Sequence, residues 1–429
     1  MLPLFIRKFE RKSKEEFSHG VTHFRMFFKW CLCAVIIGAV VGCVGTLFHY
    51  LIKISADTFA LSNLKMVWLL PLVGVVIVAS YKFCGMDNDK GTNMILVSVR
   101  SEEKPPIFTA PLIFLSTVLT HLAGGSSGRE GAAIQMGGGI GYQIGRALRL
   151  DEKDQKLIIM CGMSAAFSAL FGTPVTAAIF SMEVISVGAM YYSALVPSVI
   201  SALVGYCIAI RLGVEKTFFE LNFIPSITIP SVIRVTVLAV LCGLLSILFC
   251  IVMHGTGKLL KKAYPNKYIK ILVCSAILIN LTYIIGSADY NGAGMALIIE
   301  AVLHGQTMPQ AFALKLLFTA ITLGAGFRGG EIVPSFVVGA TFGCLVAPIL
   351  GLSGTFAAAV GMIAVFCGVT NSPITSIILS VEMFGPQGLI FFAVAVATSY
   401  MLSGYYGLYM GQKILYSKDK AEFINTSAH

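Results

Sequence analysis

Uncharged apolar stretches recur along almost the whole chain, at Trp30 to Leu51, Val67 to Tyr81, Leu157 to Phe171, Ser193 to Ile210, Val235 to Met253 and Leu389 to Leu402. Each is near the length at which a helix crosses roughly 30 Å of hydrocarbon. A single such run fits a core helix or a signal peptide. Repetition from residue 27 to about residue 416 leaves room for neither. Of the 429 residues, 56% are apolar and 12% charged, against about 25% charged in a soluble domain. The expectation is an all-α protein that crosses a lipid bilayer many times.

The formal charge of +10 invites a nucleic-acid partner, but the basic residues sit where membrane topology would put them. Arg7, Lys8, Arg11, Lys12 and Lys14 precede the first apolar stretch, and Arg146, Arg149, Lys153 and Lys156 separate two later ones. Lys258, Lys261, Lys262, Lys267 and Lys270 separate two more, and Lys413, Lys418 and Lys420 follow the last. Loops rich in Lys and Arg stay on the cytoplasmic side. Both termini are therefore expected in the cytoplasm, the chain in the cell membrane, and no nucleic acid as partner. Residues 1–26 mix acids with bases and read as a retained tail, not a signal peptide. The cysteines are scattered and the seven histidines form no cluster, so neither a metal site nor any cofactor is expected.

The chain matches itself. Gly162-Met163-Ser164-Ala165-Ala166-Phe167, continuing through Thr173-Pro174-Val175-Thr176 to Glu183, resembles Gly361-Met362-Ile363-Ala364-Val365-Phe366, continuing through Ser372-Pro373-Ile374-Thr375 to Glu382. A nearly equal offset aligns Gly91-Thr92-Asn93-Met94 with Gly292-Ala293-Gly294-Met295, and Gly125, Gly128, Glu130 and Gly138 with Gly326, Gly329, Glu331 and Gly339. Two inverted repeats are expected at 27–212 and 231–416, joined by a polar linker at 213–230 and followed by a cytoplasmic tail at 417–429.

Duplicated membrane halves place substrate sites near the midplane, where interrupted helices converge. Four segments opened by glycine fit that role: Gly91 to Val99, Glu130 to Leu148, Gly292 to His304 and Glu331 to Leu350. Irregular backbone inside a bilayer persists only where it is packed in protein or lines a cavity. Gly137 and Gly141, four residues apart, read instead as close helix packing.

A helix N-terminus offers unpaired N–H groups and about half a positive charge, a ready site for an anion. Several such ends at the midplane would hold a small anion without a buried lysine, which would bind too tightly for transport. Gly128-Arg129-Glu130-Gly131 then puts a carboxylate where the anion should sit, and a carboxylate in the bilayer is by default a functional candidate. Burial favours its neutral form and a helix end its charged form. Such a residue can fill the anion site or vacate it with a proton. Gly124-Gly125-Ser126-Ser127-Gly128 also fits the G-x-S-x-G nucleophile pattern. That keeps an intramembrane serine hydrolase as a remote alternative, although none of His121, His254 and His304 sits in a paired motif with the serine. A carrier of organic anions is a third reading, but Arg129 and Arg328 beside the glycines read as loop anchors.

These motifs resemble the CLC family of anion channels and transporters. Gly128-Arg129-Glu130-Gly131 is similar to its G-(K/R)-E-G-P filter motif and Gly330-Glu331-Ile332-Val333-Pro334 to its G-x-F-x-P motif. Gly91-Thr92-Asn93-Met94-Ile95 stands in place of G-S-G-I-P, and Tyr409 looks like the tyrosine that closes the inner side of the filter. The resemblance covers about residues 27–416. It implies a homodimer with one pathway per subunit and Glu130 as gating glutamate. It also implies anion contacts at Gly91, Thr92, Asn93, Met94, Gly128, Arg129, Gly131, Gly330, Ile332, Val333 and Tyr409, with the amides of Glu331 and Ile332 at the centre.

Three departures select a branch. Asn93 and Ile95 fit the G-x-N-x-(I/V) pattern of the fluoride-exporting members, and Glu331 replaces an apolar residue of the chloride members. Val184 stands where chloride/proton exchangers carry a glutamate on the inner proton route. The resemblance therefore implies a fluoride/proton antiporter and not an enzyme, with Glu331 as a second proton-handling carboxylate. A chloride channel or chloride/proton antiporter of the same fold is the alternative. Thr92 and Val333 depart from the residues usual at those two filter positions.

Overall fold

The computed structural model describes the backbone of residues 2–428 and the side chains of residues 22–428. The first repeat opens with α1 (Leu2–Leu61) and α2 (Leu70–Phe83), followed by α3 (Thr92–Arg100) and α4 (Thr109–Leu122). It continues with α5 (Glu130–Ala147), α6 (Glu152–Phe171), α7 (Pro174–Glu183) and α8 (Leu195–Arg211). The backbone runs as one helix through residue 26, so the boundary expected there is not a break, and the side chains of most of that tail lie outside the described residues. The chain from Leu212 to Thr228 is irregular.

The second repeat has α9 (Ile229–Ala263), α10 (Lys267–Ile285), α11 (Met295–Ile299, continued as one π-helical turn over Glu300–His304) and α12 (Ala311–Ala325). Then come α13 (Ile332–Leu350), α14 (Gly354–Thr370), α15 (Pro373–Phe384) and α16 (Leu389–Leu402). Among the described residues, six helical stretches are long and apolar enough to span a bilayer.

Local chemistry sets the helix ends. Asp151 caps α6 through the Asp154 N–H, Thr228 caps α9 through Ser231, and Asn266 accepts from Tyr268 and Ile269 at the start of α10. Pro174 and Pro373 occupy the first positions of α7 and α15, where no N–H is needed. The preceding helices stop at repeat-equivalent left-handed residues, Gly172 (φ 68°) and Asn371 (φ 55°).

Glycine lets the long helices touch backbone to backbone. A Cβ on Gly141 would lie 2.6 Å from the Ile158 carbonyl oxygen, and one on Gly137 would overlap the Gly162 carbonyl. Gly339 and Gly343 meet Gly361 and Ala357 in the same way, so the α5–α6 contact is repeated as α13–α14.

The two halves also cap each other. Glu183, at the end of α7, accepts from the N–H groups of Ile374 (3.0 Å) and Thr375 (2.8 Å) and from the Thr375 hydroxyl (2.6 Å) at the start of α15. Its repeat mate Glu382 accepts from Val175 (3.2 Å) and Thr176 (2.8 Å) at the start of α7.

The chain is mostly helical, and one small sheet accompanies the helices. Residues beyond Leu402 form β2 (Lys413–Tyr416) and β3 (Phe423–Ser427), which pair antiparallel, and β2 pairs in parallel with β1 (Ser186–Val187) of the first repeat. Gln412 ties this hairpin to the membrane helices through the Val184 and Thr370 carbonyls, both at 2.9 Å.

Candidate functional site

The helix entries singled out in the sequence come together. Gly128 and Gly330 exchange N–H to carbonyl bonds in both directions at 2.7 Å. Ser127 N donates to Gly292 O and Gly292 N to Gly125 O, each at 3.1 Å. The Thr92 hydroxyl donates to Gly131 O (3.1 Å), and Gly411 N donates to Asn93 Oδ1 (2.7 Å). The turns before α3, α5, α11 and α13 and the Tyr409 segment are thus one hydrogen-bonded unit. Gly91 itself has φ 63°, a left-handed value that disfavours any side chain.

Glu130, 1% exposed, heads α5. Its Oε2 accepts from the Arg129 N–H (2.9 Å), and the N–H of Val333, in the first turn of α13, also faces the carboxylate. The Arg129 guanidinium lies alongside, Nε 3.6 Å from Oε1. The carboxylate occupies a position built from two opposed helix N-termini, where an anion would be favoured.

Glu331 points into the same place from the other repeat. A Cβ on Gly131 would lie 3.2 Å from Glu331 Oε2 and 3.1 Å from the Gly330 α-carbon. Glu331 Oε2 is buried without a hydrogen-bond partner, and so is the hydroxyl of Tyr409, a residue 2% exposed. Tyr409 lies within electrostatic reach of both Glu331 and Glu130. Two unsatisfied polar atoms within electrostatic reach of each other in a buried site call for a ligand or water. Ile332 and Val333 are buried at the start of α13, and Met94 packs on the central hydrophobic cluster.

A protein family model described as voltage gated chloride channel matches residues 78–404. The chain belongs to this family. A chloride/fluoride channel protein of Pseudomonas syringae pv. tomato is 32% identical over 396 residues, covering 91% of this chain and 87% of that protein. The crystal structure of a CLC-type fluoride/proton antiporter superposes with a TM-score of 0.86 at 30% identity, over 90% of this chain and 98% of that one. A slow cyanobacterial Cl-/H+ antiporter shares the fold, with a TM-score of 0.75 at 18% identity over 87% of this chain and 94% of that one. The chain is a multi-pass membrane protein of the CLC type, in a family of ion transporters.

Several expectations for the site need correction. The amides of Gly128 and Gly330 are spent on each other, so these glycines join the turns and present no N–H to an anion. The Thr92 hydroxyl is likewise committed to Gly131 O. Asn93 keeps its amide NH2 free, because its Oδ1 is the end that Gly411 engages. Arg129 and Arg328 anchor loops: Arg129 reaches His49 Nδ1 (3.1 Å) and Leu170 O (3.4 Å), while Arg328 pairs with Asp89 (3.0 Å) over the Tyr81 ring.

The serine pattern has no hydrolase geometry. Ser126 Oγ meets Lys315 Nζ and Thr319 Oγ1, each at 3.0 Å, and among the described residues no histidine bonds to it. His254 bonds to Leu408 O and His121 to Thr117 O. One buried lysine escaped the sequence reading. Lys315 Nζ is fully buried between Ser126 Oγ, Gly292 O (2.7 Å) and Tyr290 O (3.2 Å). As the sole charge in the apolar stretch Ala311–Ala325, it carried the signal that would have found it.

A cavity of about 300 Å³ reaches Glu130 from the face that carries the end of α1. His49, Lys53, Asp57, His121, Arg129 and Thr217 are among its lining residues.

Proposed function

We propose that this chain exports fluoride across the cell membrane in exchange for protons, with Glu130 as gate and proton carrier. The observation that carries this reading is the Glu130 carboxylate lying at the paired tips of α5 and α13, in place of an anion. Protonation would neutralise it and release it from those N–H groups, so that fluoride and proton alternate at one position. Glu331 is the second proton-handling carboxylate, facing the site from the opposite repeat beside the Tyr409 hydroxyl.

Fluoride is small, strongly hydrated and a strong hydrogen-bond acceptor, so a filter must replace its water shell with donors. The Asn93 amide, the Tyr409 hydroxyl and the amides at the start of α13 are such donors. Gly91, Met94, Gly131, Ile332 and Val333 shape the passage around them. The neighbour named as a fluoride/proton antiporter supports fluoride, while the Pseudomonas relative is named for both ions. The basic loops place both termini in the cytoplasm, which makes the cavity beside Lys53 the outer mouth. The repeats are 27–212 and 231–416, and the working unit is a homodimer with one pathway per subunit.

Fluoride and chloride efflux from reconstituted vesicles, at two pH values and with Glu130→Gln beside the parent protein, tests this. The expected result is fluoride flux well above chloride, uphill fluoride movement under an imposed pH gradient, and loss of both in the variant. Equal chloride flux would give the chloride reading, and flux indifferent to the gradient would make the protein a channel.

A further inference from the structure

We propose that His121 is a proton-transfer group of the outer mouth, passing protons between solvent in the cavity and the Glu130 carboxylate. This rests on the fluoride/proton reading above, and nothing in the filter motifs points to it.

His121 is 1% exposed and sits near the end of α4. Its Nδ1 lies 2.9 Å from the Thr117 carbonyl oxygen, which can only accept, so Nδ1 carries a hydrogen. That bond fixes the ring and leaves Nε2 as the titrating atom. Nε2 is buried without a hydrogen-bond partner, in a ring that lines the same cavity as Glu130. A buried nitrogen with no partner is costly for a merely structural histidine. It is suited to one that gains and loses a proton with each cycle.

His49 has the opposite arrangement. Its Nδ1 accepts from Arg129, because a guanidinium only donates, so the ring is engaged in positioning Arg129. The charged and titratable groups facing His121 are His49, Lys53 and Asp57 from α1, Arg129 and Glu130 from the turn into α5, and Lys315 from α12. Most are cationic.

The step balances simply. A hydronium ion in the cavity gives its proton to Nε2, forming the imidazolium and water. The Nε2–H bond then breaks as the Glu130 carboxylate takes that proton, and the ring returns to the Nδ1–H form. Neutral Glu130 leaves the helix tips, and fluoride can pass outward.

His121→Asn tests the step, because the asparagine amide nitrogen can keep the Thr117 bond while Nε2 is lost. Fluoride efflux and proton uptake would be followed together in vesicles at about pH 5.5 and about pH 7.5, on either side of an ordinary imidazole pKa. The expected result is coupled efflux slowed roughly tenfold at the higher pH and restored to within about twofold at the lower, where bulk protons substitute. Equal rates to the parent at both pH values, or equal slowing at both, would overturn the assignment. Parent protein that shows no coupling would instead sink the antiport reading. Should the variant fail to assemble, nitrogen-15 imidazole NMR on the parent protein decides the matter. A His121 ring that titrates between those pH values supports the step, and one locked in a single protonation state overturns it.

Discussion

Gly330 and Gly131 approach so closely that a Cβ on Gly330 would sit 2.6 Å from the Gly131 nitrogen and 3.0 Å from the Glu130 nitrogen. Together with the paired bonds between Gly128 and Gly330, this holds the entries of α5 and α13 in one fixed relation. The carboxylates of both repeats are delivered to one place because two turns have no side chains between them.

Gly330→Ala therefore has to push backbone, not a flexible side chain. We expect a loss of about 1–3 kcal/mol in stability, with fluoride efflux reduced roughly tenfold or more as the helix tips separate. Thermal unfolding in detergent and vesicle efflux measure the two effects. Normal efflux in this variant would mean that the spacing of the tips does not matter.

Glu331→Gln keeps the volume and removes the ability to carry a proton. Fluoride accumulation driven by a pH gradient should fall roughly tenfold or more, while passive fluoride binding persists. Preserved uphill transport would remove Glu331 from the proton route and leave it as a structural residue.

Glu183 is fully committed to the start of α15, which disqualifies it as a proton carrier despite its place beside Val184. Glu183→Ala should cost roughly 1–3 kcal/mol through the lost cap, and Glu183→Gln less. The ratio of protons to fluoride should stay as in the parent protein for both. A changed ratio, read from parallel proton and fluoride electrodes, would reopen an inner route at this position.

Lys315→Met leaves Ser126 Oγ, Tyr290 O and Gly292 O without their shared donor. Tyr290 O is left unpaired, while Ser126 Oγ keeps Thr319 and Gly292 O keeps the Ser127 N–H, so a loss of roughly 1–3 kcal/mol is expected, seen as a lower unfolding temperature. An unchanged melting temperature would show that water takes the place of the ammonium.

The four helix entries were legible because glycines and carboxylates stand out in apolar sequence, and because the chain repeats itself. Their bonding was not. Sequence could mark Gly128, Gly330 and Thr92 as filter residues, but only tertiary contact shows that their donors are already occupied. Glu183 and Glu382 ended the repeat signal, yet their exchange of caps depends on how the halves are apposed. Strands of two to five residues fall below any periodicity test, so β1 to β3 left no trace. His121 looked like an isolated histidine until Nε2 proved to have no partner.

The exchange of caps between α7 and α15 bears on alternating access. Swinging one repeat away from the other at that seam would break five charge-assisted bonds at once, on the order of 10 kcal/mol. Rocking halves are thereby disfavoured on the millisecond scale of turnover. Ion exchange in this molecule is left to rotamers at the filter, while the scaffold stands still.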